Sequence, residues 1–445
     1  VYDVNDRPST KQLLIYGFQQ VLAILAATIA VPLIVGNGMS TAAALFGAGV
    51  GTFVYLLFTK FKSPVFLGSS FAFIGSMNAA FAGAVSVQAG FAGLLIGAIL
   101  AGLVYAIIAI VVKKAGVSWI DKLMPPVVIG PTVAIIGLSL ASSAIGNLSK
   151  SDVTGGTTNF AVLCGLVALI ATTLASTYGK KYTKMIPFII GILSGYALAA
   201  VLTLIGNATG VESLMISDFS AFTNLASGGV TLSTFFSVPD FTFLTAAKGF
   251  SQVDAGYIGT VAVAYIPVAF VVFAEHIADH KNISSIIEKD LLKDPGLDRT
   301  LLGDGIGSIV GAFFGGCPNT TYGESVACVA ITKNASVATI ITAAIECIIL
   351  AFISPIVAFI SSIPSCVMGG VCMALYGFIA VSGLKMVQKV DLEQNKNLFV
   401  VSSILIAGIG GLQLSFGKIT ITSIACALIL GIIVNKLLSK DPSAK

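Results

Sequence analysis

Apolar stretches close to the length a helix needs to cross a bilayer recur from one end of this chain to the other. Fourteen can be marked, from residues 12–35 to 418–437, and the longest polar stretch between them, about 281–300, is too short to bury a core of its own. Backbone groups in hydrocarbon must be hydrogen-bonded within the protein, and runs of this length achieve that as helices. The chain is therefore predicted to be an all-α polytopic membrane protein. Composition agrees where it matters: 56% of residues are apolar and 10% charged, against about 25% charged in a soluble domain. That excludes a cytosolic enzyme, a disordered chain and a nucleic-acid binder. The lipid bilayer is the first partner, and no nucleic acid is expected. The seven cysteines are scattered through apolar runs and match no zinc or disulfide spacing, so they read as small buried hydrophobes. The polar N-terminus leads into a span-length run, which is not the pattern of a cleavable signal.

Positive charge sets orientation. With an intracellular N-terminus and fourteen crossings, all of the 24 Lys and Arg except Lys150, Lys248 and Lys418 fall on the inner side. One miscounted crossing would scramble that split, and an even count makes both termini cytoplasmic. A weak internal repeat divides the spans. Ser69-Ser70-Phe71-Ala72 matches Thr320-Thr321-Tyr322-Gly323 in character, each in the third segment of its half. Pro125, Gly130 and Gly137 likewise resemble Pro364, Gly369 and Gly377. Seven spans per half is odd, so the second half enters with the opposite orientation, giving a 7+7 inverted repeat. Segments 3 and 10 are short and punctuated by Pro64, Gly68, Gly75, Pro318 and Gly323. Paired interrupted segments of this kind point to a binding site near the midplane.

Carboxylates in hydrocarbon are costly and mark functional sites. Four stand out: Glu275, Asp279, Glu324 and Glu346. Glu275 and Asp279 are four apart, hence on one helix face. Two carboxylates held together away from water do not both ionise readily, so one of the pair can carry a proton. His276 and His280 are also four apart, but no third metal ligand is evident, so no metal site is expected and His276 should pack or hydrogen-bond within the bundle. Pro318-Asn319-Thr320-Thr321-Tyr322-Gly323-Glu324 is the densest polar stretch at membrane depth. Irregular backbone is tolerated there only where it lines a cavity or is buried in protein. It suits a planar ligand that donates and accepts hydrogen bonds, with Phe71 and Tyr322 supplying ring faces. Gly303, Gly307, Gly311 and Gly315 recur every fourth residue, a face for close helix packing. Asp304 reads as lying at the inner rim of its span.

At these residues the sequence resembles the nucleobase–ascorbate transporter (nucleobase:cation symporter) family, specifically its bacterial uracil-transporting members. The segments that carry the likeness are Gly68 to Phe73, Ala274-Glu275-His276, Lys289 to Leu297, and Pro318 to Glu324. The resemblance implies a core domain (residues 1–114 and 256–360, spans 1–4 and 8–11) and a gate domain (115–206 and 361–445, spans 5–7 and 12–14). Residues 207–255 would form an extracellular loop. It implies short strands in segments 3 and 10, with the base between them. Glu275 and Glu324 would bind the base N–H groups, and Phe71, Tyr322 and Gly323 would complete the pocket. On the reading of the residues themselves, Glu275, Asp279 or Glu346 would carry the coupling proton. The resemblance further implies no cofactor, a homodimer in the bacterial plasma (inner) membrane, and a co-transported cation, a proton in the bacterial uracil members with sodium the other option. The sequence departs from the family at Gln19-Gln20, where relatives often carry Gln-His, at Asp279, where uracil permeases can have histidine, and at Glu346, where an apolar residue is expected.

The function expected is proton-coupled uracil uptake by alternating access, with no enzymatic activity. A purine symporter for xanthine or uric acid is the alternative within the family. An anion exchanger or channel on the same scaffold would favour a central cation, and the sequence offers carboxylates.

Overall fold

Hydroxyl and carboxylate side chains start many of the helices. Ser40, Ser86, Thr158, Asp254 and Thr422 each precede an apolar run and accept a hydrogen bond from a first-turn N–H, which satisfies donors that the helix leaves open. The computed structural model describes residues 2–116, 118–180, 183–416 and 419–439. Lys181, Lys418, Lys440 and Lys445, which entered the charge asymmetry, lie outside the described residues.

The first half contains α1 (Thr10–Val35), α2 (Thr41–Phe58), β1 (Leu67–Ser69), α3 (Ile74–Ala82), α4 (Val87–Ala115), α5 (Pro126–Ser139), α6 (Asn159–Tyr178) and α7 (Pro187–Thr209). The second contains α8 (Ala255–Ile287), α9 (Leu297–Gly315), β2 (Asn319–Thr321), α10 (Gly323–Thr332), α11 (Val337–Leu350), α12 (Ser365–Val387), α13 (Asn395–Ile409), β3 (Leu414–Phe416), β4 (Ile419–Ile421) and α14 (Ser423–Leu438). Eight helices among the described residues are long and apolar enough to span a bilayer, counting Pro126–Leu148 as one. Four more, α10, α11, α13 and α14, are apolar but shorter, so helix length supports a multi-pass protein without by itself yielding fourteen spans.

Segments 3 and 10 are each half strand and half helix, as expected. β1 pairs antiparallel with β2 in the register Leu67↔Thr321, Gly68↔Thr320 and Ser69↔Asn319. The pairing extends through Ser70 N–H to Pro318 O (2.9 Å) and Tyr322 N–H to Phe66 O (3.3 Å). Two broken spans thus satisfy each other's backbone groups inside the membrane, where no water could.

Helices α1–α4 pack mainly against α8, α9 and α11, and α5–α7 mainly against α12–α14, where α13 and α14 also pair with each other. Small residues set the closest approach. The Gly303–Gly315 stripe of α9 lies on α2, where a Cβ added to Gly51 would come 2.8 Å from Gly307 O, and one on Gly315 would come 2.5 Å from Ala44 Cα.

Three features differ from the reading of the sequence. Residues 207–255 hold short helices, among them Ser220–Leu225 and Thr242–Ala247, and the second packs on α4 and α9. The apolar run after Val337 breaks at Ala351–Ile353 and resumes as a helix over Ser354–Ser361, where Pro355 at the first turn pre-sets the new start. Finally, β3 and β4 form an antiparallel hairpin between α13 and α14, which simple hydropathy had absorbed into the flanking spans.

Candidate functional site

The β1–β2 crossing forms one side of the site. Tyr322, 4% exposed, donates its hydroxyl to Ser69 O at 2.6 Å, fixing β2 to β1. Phe66 N–H donates to Ser325 Oγ at 3.1 Å, and Gln20 Nε2 donates to Ser325 O at 3.3 Å, so α1, β1 and α10 are tied at one point. The α10 helix starts at Gly323, and first-turn N–H groups of a helix are available to a ligand.

Beside this crossing lies a cavity of about 430 Å³. Phe71, Glu275, Asp279, Tyr322, Gly323 and Glu324 all line it. Six of the seven residues selected from the sequence therefore converge on one space, although they come from three segments. Glu275 and Asp279 reach it from α8 because they are one turn apart. Thr321 donates its hydroxyl to Asp279 Oδ2 at 2.6 Å, joining the strand to that carboxylate. Phe71 meets Tyr376 of α12 edge-on, with ring centroids 5.8 Å apart. Glu346 is elsewhere: it lines a separate groove on α1 and α11.

The opposite wall of the cavity comes from α5, α7 and α12, through Val133, Ile136, Phe188, Leu375 and Phe378, with Ser176 of α6 and Lys184 also lining it. The sequence did not single these out. They sit in plain apolar helices or a short connection, and nothing in their spacing distinguishes them from residues facing lipid.

Behind α8 runs a buried polar network. His276 contacts Asp304 Oδ2 through Nδ1 at 2.7 Å and Thr300 Oγ1 through Nε2 at 3.0 Å. Thr300 Oγ1 donates its own proton to Leu297 O at 3.1 Å, so Nε2 is assigned as the donor to it. The Nδ1–Oδ2 contact then holds one shared proton, and the His276–Asp304 pair is neutral as a unit. His280 Nδ1 donates to His276 O at 2.8 Å, leaving Nε2 to accept from Tyr55 OH at 2.6 Å. Asp304, expected at the inner rim, is instead fully buried, because the neighbouring glycines let α9 pack closely and His276 supplies the partner. All seven cysteines are buried and unbridged.

A helical membrane bundle with a carboxylate-lined cavity at the meeting of two broken spans defines an integral-membrane transporter. The sequence profile of a family described as "Permease family" (Xan_ur_permease) matches residues 11–416. The chain belongs to this family, the nucleobase–ascorbate transporters. It is 37% identical over 448 residues to a protein named "Uracil permease" from Bacillus caldolyticus, covering 100% of this chain and 96% of that one. It is 34% identical over 442 residues to "Uracil permease" of Escherichia coli K12, covering 98% and 94%. To "Putative pyrimidine permease RutG" of Escherichia coli K12 it is 31% identical over 441 residues, covering 98% and 91%. Among solved structures, the transmembrane domain of the cyanobacterial bicarbonate transporter BicA superposes with a TM-score of 0.63 at 14% identity, covering 97% of this chain and 99% of that one. Murine Slc26a9, described as an anion transporter, gives 0.65 at 11% identity, covering 98% and 69%. At such identity these two share the fold alone.

Proposed function

We propose that this permease takes up uracil together with a proton by alternating access. The observation that carries the reading is the convergence of Glu275, Asp279 and Glu324 with Phe71 and Tyr322 on one cavity. Uracil is flat, with two N–H donors and two carbonyl acceptors. Glu275 and Glu324 accept the N–H groups, the first-turn amides at Gly323 and Glu324 donate to a carbonyl, and Phe71 packs on the ring. The names of the relatives support uracil as the base. Asp279 and Glu275 are the proton carriers, since both line the cavity and sit one turn apart. The core (1–114 and 256–360) moves against the gate (115–206 and 361–445), exposing the cavity to each side in turn. The protein works as a homodimer in the bacterial plasma membrane, with both termini cytoplasmic. Three carboxylates on the cavity argue against an anion as cargo.

The test is uptake of radiolabelled uracil into proteoliposomes under an imposed proton gradient, repeated with sodium and with xanthine and uric acid as competitors. Accumulation driven by protons and resistant to purines is expected. Glu324→Ala removes an acceptor that pairs with a buried ligand N–H and should abolish binding. Wild-type uracil affinity in that variant would sink the site, and uptake driven by sodium alone would replace the proton.

A further inference from the structure

Glu346, one of the positions at which this sequence departs from its family's pattern, meets a glutamine in space. Gln19 of α1 and Glu346 of α11 line one groove, walled by Ile15, Phe18, Ile349 and Leu350. Ile15, Phe18 and Ile349 are exposed on the outside of the bundle. None of these residues lines the transport cavity.

The depth of the groove follows from helix geometry. The chain before α1 lies along the start of α11: Val337 N–H donates to Val4 O at 3.1 Å, and Ser336 Oγ donates to Asp6 O at 2.6 Å. The segment leading into α1 is thus tied to the start of α11. Gln19 is nine residues beyond Thr10 and Glu346 nine beyond Val337, so each lies about 13 Å along its helix. Counted from residue 12, where the apolar run begins, Gln19 lies about 10 Å inside the ~30 Å hydrocarbon core, below the level of the lipid headgroups. The helices touch at this level, since a Cβ on Gly17 would come 2.9 Å from Thr342 Cγ2 and 3.0 Å from Glu346 Oε2.

Two polar atoms are left open there. Gln19 Oε1 and Glu346 Oε2 are both buried atoms without a hydrogen-bond partner among the described residues. An apolar groove tolerates a carboxylic acid far better than a carboxylate. An acid in such a place reacts with molecules that dissolve in the bilayer and is shielded from those that do not.

We propose that Glu346 is a lipid-accessible carboxylic acid, a modification site separate from the transport cavity, whose reagent class is the hydrophobic carbodiimides. The chemistry balances without a further reactant. The carboxyl oxygen bonds to the central carbon of the carbodiimide, and the acid proton passes to one of its nitrogens, giving an O-acylisourea. The acyl group then shifts from oxygen to nitrogen, giving a stable N-acylurea with no leaving group.

The experiment uses the full chain in lipid vesicles, treated in parallel with dicyclohexylcarbodiimide and with a water-soluble cationic carbodiimide, and maps adducts by peptide mass spectrometry. The hydrophobic reagent is expected to give the N-acylurea on Glu346. The cationic one should label that residue about a hundredfold less, the penalty on a cation entering the bilayer centre. Glu346→Gln should lose the adduct while eluting as the wild type does in size-exclusion chromatography. The mapping on the unmodified chain decides the matter even if that variant misfolds. An unlabelled Glu346, or equal labelling by both reagents, would overturn the assignment.

Discussion

Gly68→Ala tests the geometry of the site most directly. Gly68 sits in β1 facing the ring of Tyr322, and an added methyl would overlap Cε2 and lie 3.0 Å from Thr28 Oγ1. Tyr322 cannot swing aside without surrendering its 2.6 Å hydrogen bond to Ser69 O, one residue along the same strand. Overpacking a well-filled site costs about 1–3 kcal/mol, and stranding a buried carbonyl costs about 1–3 kcal/mol. The chain takes the cheaper response or a mixture, so about 1–3 kcal/mol is expected. At about 1.4 kcal/mol per decade, strain borne by the bound geometry weakens uracil binding by roughly 5- to 140-fold. Gly75→Ala is the internal control. Gly75 lies seven residues further along the same broken segment, inside α3, and a Cβ there meets nothing within 4 Å; helix propensity even favours the alanine by up to ~1 kcal/mol. Equilibrium binding of radiolabelled uracil, paired with thermal melting in detergent, reads both. The reasoning is refuted if Gly68→Ala keeps wild-type affinity and melting temperature, or if Gly75→Ala loses as much.

Thr321→Val keeps the shape of β2 but removes the donor to Asp279 Oδ2; a hydrogen bond to a charged group contributes about 1.5–3 kcal/mol, so proton-driven uptake should fall at least about tenfold, and unchanged uptake would count against Asp279. Asp304→Ala leaves His276 Nδ1 without its buried partner and should cost about 1–3 kcal/mol. Asp304→Asn can still donate to Nδ1 and should be milder, so equal melting temperatures for the two would contradict the shared-proton assignment. Outside the membrane, the hydrogen bond from Lys289 holds Asp3 below its ordinary value of 3.8. A depressed carboxyl contributes stability that is complete above its unfolded value and lost as pH falls through the folded one. Asp3→Asn should therefore lower stability slightly at neutral pH, by less than about 1 kcal/mol for so exposed a pair, read as a small fall in melting temperature. The difference should shrink as pH falls below 3.8 and vanish once Asp3 is protonated in the folded protein, and a pH-independent difference would exclude the ion pair as its cause.

The length and recurrence of apolar runs determined the class of fold, because removing water from the backbone leaves few alternatives to helices. The broken segments around Phe71 and Tyr322 were legible for the same reason: Pro and Gly at membrane depth must be compensated, and here β1 and β2 compensate each other. Carboxylates in apolar runs pointed to Glu275, Asp279 and Glu324, since a charge in hydrocarbon persists only where it has a use. Sequence could not say which way a residue on these helices faces. In a soluble protein the polar side of a helix marks the outside, but in a bilayer the lipid is as apolar as the protein interior. Hence Glu346, selected on the same grounds as the others, lies on an outer groove. Asp304, read as a rim residue, is buried against His276, and Phe188 and Leu375 line the cavity unannounced. Those placements depend on which helices touch and in what register, and tertiary packing alone decides that.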